Sequence, residues 1–188
     1  MLIVGFGGTL RPGSSTERVL SHVLRQARSL GASTVLLSGE MISLPTYVPG
    51  ESCRCERSAA LLEALRKADA IVVGSPAYHG GISGLVKNAL DYTEDMSKDA
   101  APYFEGRAVG CVATGAGWQG AIATLNALRS VVHALRGWPT PLGIAFNTQE
   151  PLFDRDGECV MPGASKSMRL MAEQLVEFAS RPRCSSAF

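Results

Sequence analysis

No sign of charge dominates this 188-residue chain: 18 Lys and Arg stand against 17 Asp and Glu, for a net charge of +1. The basic residues are scattered, which leaves no electrostatic footprint for a nucleic-acid backbone or an anionic membrane, so neither is expected as a partner. No apolar run approaches the roughly 18 residues that a membrane-spanning helix needs. From Met1 to Gly8 the chain enters an apolar segment directly, without the basic region and small-residue cleavage site of a secretory leader, and a cytoplasmic location is the expectation. Cysteine is sparse and odd in number, at five. Cys53 and Cys55 are close neighbours, but the single residue between them is too few for a zinc half-site, and no second pair or nearby His completes one. The Cys53-Arg54-Cys55 stretch reads as a loop with free thiols, and no metal is expected.

Several nucleotide and catalytic signatures are also missing. Gly5, Gly7 and Leu10 lack the third glycine of GxGxxG, and no Gly-Lys-Ser/Thr closes a P-loop. Glu40 lies too far beyond the glycines for the ribose-binding acid of a dinucleotide fold and reads as a surface carboxylate. His22 and His133 fall within helical patterns as surface or packing residues, so no Ser-His-Asp arrangement emerges and no catalytic side chain is assigned.

What the chain does have is apolar content, at 46% hydrophobic against 19% charged residues, with a mean hydropathy of +0.11. At this length that suits one well-buried core. Apolar runs at Leu2–Phe6, Ser33–Leu37, Ala70–Gly74, Arg107–Ala113 and Leu142–Phe146 predict five strands. Helical periodicity from Ser15, around Leu61 to Leu65, and over Gly84–Met96, Gln119–Leu135 and Ala164–Phe178 predicts five helices between and after them. Pro45–Ser58 and Pro139–Gly163 are irregular. Uniformly apolar strands alternating with helices call for a doubly wound α/β fold, a five-stranded parallel sheet with helices on both faces.

Ligands of such sheets settle at the carboxyl ends of the strands, which directs attention to the loops there. The first, Gly7 to Thr16, offers glycines, hydroxyls and Arg11 just ahead of a helix. That is the composition of a phosphate cradle, where helix N-terminal N–H groups, hydroxyl donors and a guanidinium converge. Ser14-Ser15-Thr16-Glu17 reads equally as a capping box needing no ligand. The loop after the third strand, Gly74 to Gly84, sets Tyr78 and His79 beside two glycines, where a flat ring can approach the main chain, or forms a plain turn with a surface aromatic.

Here the chain resembles the NADPH-dependent FMN reductases of the flavodoxin-like superfamily, which also include chromate, quinone and azo-dye reductases. The resemblance covers most of the chain. It rests on Gly8-Thr9-Leu10-Arg11-Pro12-Gly13-Ser14, on Leu44-Pro45-Thr46-Tyr47, and most of all on Ala68 to Gly80 together with Ile82 to Tyr92. It implies one flavodoxin-like FMN-binding domain over 1–188. FMN phosphate would be held by Thr9, Arg11, Ser14, Ser15 and Thr16, and the isoalloxazine would lie along Pro76, Ala77, Tyr78, His79 and Gly80. The segment Thr114 to Gly120 matches the family's glycine-containing stretch beside the ring, which brings in Gly115, Ala116, Gly117 and Trp118. Many members carry Asn where Thr16 and His79 stand and a polar group where Ala77 stands, departures that bear on phosphate and flavin contacts and on substrate choice.

The resemblance further implies NADPH or NADH as electron donor, small-molecule substrates, and a homodimer or homotetramer built partly on the helix from Leu85 to Met96. Hydride transfer between two cofactors needs stacking and alignment more than an acid–base pair. Reduced flavin would go to a flavin-dependent monooxygenase, or a quinone-like acceptor would be reduced directly. The alternatives are a non-catalytic electron carrier of flavodoxin type, against which stand near-neutral charge and Arg11, and an α/β module for another phosphorylated ligand.

Overall fold

The computed structural model describes residues 1–50 and 55–181. Cys53 lies outside the described residues, and Cys55 stands immediately before a helix. In chain order the elements are β1 (Leu2–Gly7), α1 (Ser15–Ser29), β2 (Ser33–Leu37), α2 (Glu56–Lys67), β3 (Ala70–Tyr78), β4 (Gly81–Ile82), α3 (Gly84–Asp91), β5 (Ala108–Gly115), α4 (Trp118–Ala134), β6 (Trp138–Pro139), β7 (Ile144–Asn147) and α5 (Ala164–Ala179). Short 3-10 turns cover Gly39–Ile42 and Tyr92–Met96. The strands are ordered β2-β1-β3-β5, with β6 and β7 both on the far side of β5 and every one of these pairings parallel. The chain reverses direction across the sheet between β1 and β3, the switch point at which such folds open a crevice.

Both faces of the sheet are apolar because alternate residues of each strand feed different layers. Ile3, Ala70 and Val72 pack with Val19, Leu20, Val23 and Leu24 of α1 and Met168, Met171 and Leu175 of α5. Val4, Phe6, Ile71 and Val73 pack with Leu61 and Leu65 of α2, Val86 and Leu90 of α3, and Leu128 and Val132 of α4. Each large aliphatic chain so buried contributes about 1.5–3 kcal/mol relative to exposure.

At the amino ends of the strands the polar groups are used internally. Arg107, 3% exposed, donates from Nε to the Ala68 carbonyl at 2.9 Å, from Nη1 to Tyr103 at 2.9 Å and from Nη2 to Arg66 at 3.1 Å. The Asp69 carboxylate accepts the Leu2 N–H at 2.8 Å. Beside them in β5, burial pushes the Cys111 thiol up to about 12, only partly countered by Arg129, so it holds no thiolate at neutral pH.

The structure corrects three expectations. The third strand does not stop at Gly74 but runs to Tyr78 and folds back through β4, pairing Ala77 with Ile82 and Tyr78 with Gly81. The fifth strand position is shared by two short pieces, β6 and β7, because Pro139 and Pro141 cannot donate to a continuous ladder. The helix starting at Gly84 changes to a 3-10 turn after Asp91. Its residues Val86, Ala89, Leu90, Tyr92 and Met96 are buried in the chain's own core, and Leu85 packs half-buried against it.

Two matched segments of the sequence turn out to brace one another. Asn88 accepts the Tyr47 N–H at 2.8 Å and donates to the carbonyls of Leu44 and Pro45 at 3.2 and 2.9 Å, while the Tyr92 hydroxyl donates to Pro45 at 3.1 Å. Further on, His22 is 7% exposed, contacts the Gly157 carbonyl through Nε2 at 3.0 Å and lies 4.8 Å from the Phe153 ring. It is a packing residue that fastens the 152–160 turn to α1.

Candidate functional site

The site begins where β1 ends. Gly7 has φ +134°, and a Cβ there would stand 1.9 Å from the Gly74 carbonyl oxygen. Glycine therefore lets β1 and β3 leave the sheet side by side, with the Gly8 N–H donating to the Gly74 carbonyl at 3.1 Å. The loop then turns on Thr9, whose Oγ1 accepts the Arg11 N–H at 3.1 Å. The capping reading is present with one shift: Ser14 Oγ accepts the Glu17 N–H at 3.3 Å, while the Glu17 carboxylate reaches back one residue past the cap, to the Gly13 N–H at 3.1 Å. Yet the cap leaves donors over. Among the described residues the Ser15 and Thr16 N–H groups meet no protein acceptor, and Arg11 is exposed with no carboxylate at ion-pair distance.

Opposite this loop stands the β3–β4 hairpin. Its two-residue turn is His79 (φ +53°) and Gly80 (φ +75°), both left-handed as a type I′ turn requires. Asn, common at this position in the resembled family, and His are among the few side chains found in that region with some frequency. Buried Ser75 ties the hairpin at its base, donating to the Pro76 carbonyl at 2.8 Å and accepting the Ser83 N–H at 2.9 Å. Ser83 Oγ in turn caps α3 by accepting the Val86 N–H at 3.3 Å.

The third wall comes from the end of β5. A Cβ on Gly115 would lie 2.9 Å from that of Ala77, so glycine sets this strand close against the hairpin. Thr148 N–H donates to the Gly115 carbonyl at 2.8 Å and brings the loop after β7 alongside. Beneath the loops, the Thr16 and Thr114 hydroxyls form a buried hydrogen bond of 2.6 Å across 98 positions of sequence.

These walls enclose a pocket of about 230 Å³ lined by Thr9, Arg11, Ser14, Ser15, Thr16, Pro76, Ala77, Tyr78, Thr114, Gly115, Ala116 and Thr148. Thr9, Arg11 and Tyr78 also border a wider cleft of about 640 Å³, which extends past Gly8 and Leu10 to Ser83, Gly84 and Leu85. Ten of the fourteen residues singled out from sequence thus line one small pocket. His79 and Gly80 stand exposed at the hairpin tip, and Gly117 and Trp118 lie beyond the pocket at the start of α4, with Trp118 47% exposed. Sequence reading includes Thr114, Ser83 and Leu85 in matched segments without giving them a site role, and it leaves Thr148 unmentioned. Their relevance arises from strand ends brought together by the sheet, for which a single chain carries no local signal. Among the described residues no group of three or more His, Cys, Asp or Glu is placed to hold a metal ion.

Chemically the arrangement gathers one guanidinium, several hydroxyls and outward N–H donors, groups able to meet an anion, next to a glycine- and aromatic-edged slot. An FMN-dependent NADPH-azoreductase of Staphylococcus aureus (strain USA300) is 31% identical over 122 residues, 64% of this chain and 61% of the relative, so the chain spans about three fifths of the length of the curated relatives it matches. Among solved structures, FerB, a flavoenzyme NAD(P)H:(acceptor) oxidoreductase from Paracoccus denitrificans, superposes with a TM-score of 0.76 at 17% identity, covering 95% of this chain and 96% of that one. The apo form of an NADH:FMN oxidoreductase superposes with a TM-score of 0.69 at 18% identity, covering 96% and 91%. At those identities the structures speak for the fold. The sequence model of the family described as NADPH-dependent FMN reductase matches residues 1–151, spanning every loop that lines the pocket, and the chain belongs to that family.

Proposed function

We propose that residues 1–188 form one FMN-binding domain that works as an NAD(P)H-dependent FMN reductase in the cytoplasm. The observation that carries this reading is the convergence of leftover donors on one pocket: the Arg11 guanidinium and the Ser15 and Thr16 N–H groups, with Thr9 beside them. These would hold the phosphate. The β3–β4 hairpin, from Pro76 to Gly80, and the Gly115–Trp118 segment would flank the ring, with Tyr78 and Trp118 offering aromatic faces. FMN, when bound, supplies the chemistry of accepting a hydride from the nicotinamide and passing the electrons onward. The protein's own residues bind, orient and shield, and none is needed as acid or base.

The 640 Å³ cleft beside Tyr78, edged by Leu10 and Leu85, suits a flat apolar acceptor. A quinone-like or azo compound reduced there, in keeping with the name of the staphylococcal relative, is one exit for the electrons. Reduced flavin released to a flavin-dependent monooxygenase is the other. We also infer a homodimer or homotetramer. Its support is α4, whose exposed side carries Trp118, Gln119, Ile122, Ala123, Asn126 and Ser130, none of them charged, with Trp118 and Ile122 47% and 48% exposed.

The test is an absorbance titration of the purified protein with FMN, followed by anaerobic addition of NADPH and then NADH. Bound flavin bleached by a nucleotide supports the reductase and identifies its donor. Flavin that binds but stays oxidised with both makes the protein a carrier. No flavin binding at all overturns the reading and returns the first loop to a helix cap.

A further inference from the structure

The buried hydroxyl pair beneath the pocket has one proton more than the protein uses. Thr16 Oγ1 and Thr114 Oγ1 lie 2.6 Å apart, and the residues are 1% and 4% exposed. Two hydroxyls carry two protons, and the bond between them consumes one. Neither hydroxyl makes another hydrogen bond among the described residues, so the hydroxyl that accepts within the pair retains a proton with no protein acceptor. Both side chains line the same 230 Å³ pocket as Arg11, Thr9 and Ser15. A buried donor without an acceptor is costly unless a ligand supplies one.

Building on the FMN reading above, we propose that Thr114 is a positioning residue for the flavin phosphate: its hydroxyl donates to Thr16 Oγ1 and thereby turns the Thr16 proton toward a phosphate oxygen. In this arrangement Thr114 itself does not meet the phosphate. It acts through Thr16, and a hydroxyl that both accepts and donates is polarised by its neighbour and becomes a better donor to an anion. The pair also spans two elements, α1 and β5, so a bound phosphate ester would couple the first loop to the strand end beside the ring.

The experiment compares FMN with riboflavin, which is the same ring system without the phosphate, by quenching of flavin fluorescence in the wild-type protein, T114V, T114S, T16V and the T16V/T114V double variant. T16V is expected to weaken FMN binding about tenfold to a hundredfold, the loss of one hydrogen bond to a charged group, and T114V about threefold to tenfold, the loss of the neutral hydrogen bond that aims the Thr16 proton, while riboflavin affinity stays as in wild type. T114S, which keeps the hydroxyl, should retain FMN affinity. The double variant should be no worse than T16V, because the two residues act as one unit. If T114V does not fold, T114C replaces it, its thiol being a much weaker donor of similar size. Equal losses for FMN and riboflavin would make Thr114 a structural residue and overturn the proposal, as would an FMN affinity unchanged in T114V. Failure of the wild type to bind FMN would instead overturn the functional reading itself, a distinct outcome.

Discussion

The two ends of the same sheet treat their polar groups in opposite ways. At the amino end Arg107 is buried and gives its guanidinium to three carbonyls, and Asp69 takes a backbone N–H. At the carboxyl end, among the described residues, Arg11 is exposed without a carboxylate partner and the Ser15 and Thr16 N–H groups of α1 have no protein acceptor. One end is sealed by its own hydrogen bonds and serves stability, while the other leaves open the donors that the proposed ligand would use. Stability and binding can therefore be altered separately in this molecule.

The largest effect is expected where backbone geometry, rather than a side chain, holds the open end together. Gly7→Ala would place a methyl group 1.9 Å from the Gly74 carbonyl at a φ of +134°, and should cost more than about 4 kcal/mol, read as collapse of the urea midpoint or loss of soluble protein. A G7A protein of normal stability would show that the strand ends are not locked. Next is Arg107→Leu, which strands the buried Ala68 carbonyl and the half-buried carbonyls of Tyr103 and Arg66. It should lower unfolding free energy by about 3 kcal/mol or more and leave FMN affinity of the folded protein unchanged. A fall in affinity would break the division between the ends. Arg11→Ala should do the converse, weakening FMN binding about tenfold or more with the denaturation midpoint of the ligand-free protein unmoved. The smallest effect concerns Thr124, whose buried hydroxyl on α4 has no hydrogen-bond partner among the described residues. Thr124→Val should raise stability by about 1 kcal/mol by thermal or urea unfolding, and no gain would mean that water or a local shift already satisfies it.

Much of this organisation can be read from the chain, and the part that cannot has a common cause. Continuous apolar runs such as Ala70–Val73 announce strands buried on both faces, and Ser14 with Glu17 announces the start of α1, because those signals are local. The extension of β3 to Tyr78 is concealed by Pro76 and by the paired glycines, which look like a break in the strand. In the folded protein Pro76 holds its register with Thr114, and Gly80 is half of a tight hairpin turn. The two-residue β6 is too short for any periodicity. Thr114 and Thr148 matter only because the sheet brings them to Thr16 and Gly115.

The layer formed by α1 and α5 has a further consequence for how the chain is made. The family match ends at residue 151, yet Met168, Met171, Ala172 and Leu175 of α5 close the face of the sheet that α1 half covers. Every loop of the pocket leaves the ribosome before that helix does. During synthesis the first 151 residues are thus a nearly finished site on an unfinished core, with one face of β1, β3 and β5 open to water and to other chains. A ribosome stalled before α5 would hold a product that carries the binding residues but lacks the closure needed to keep them in place.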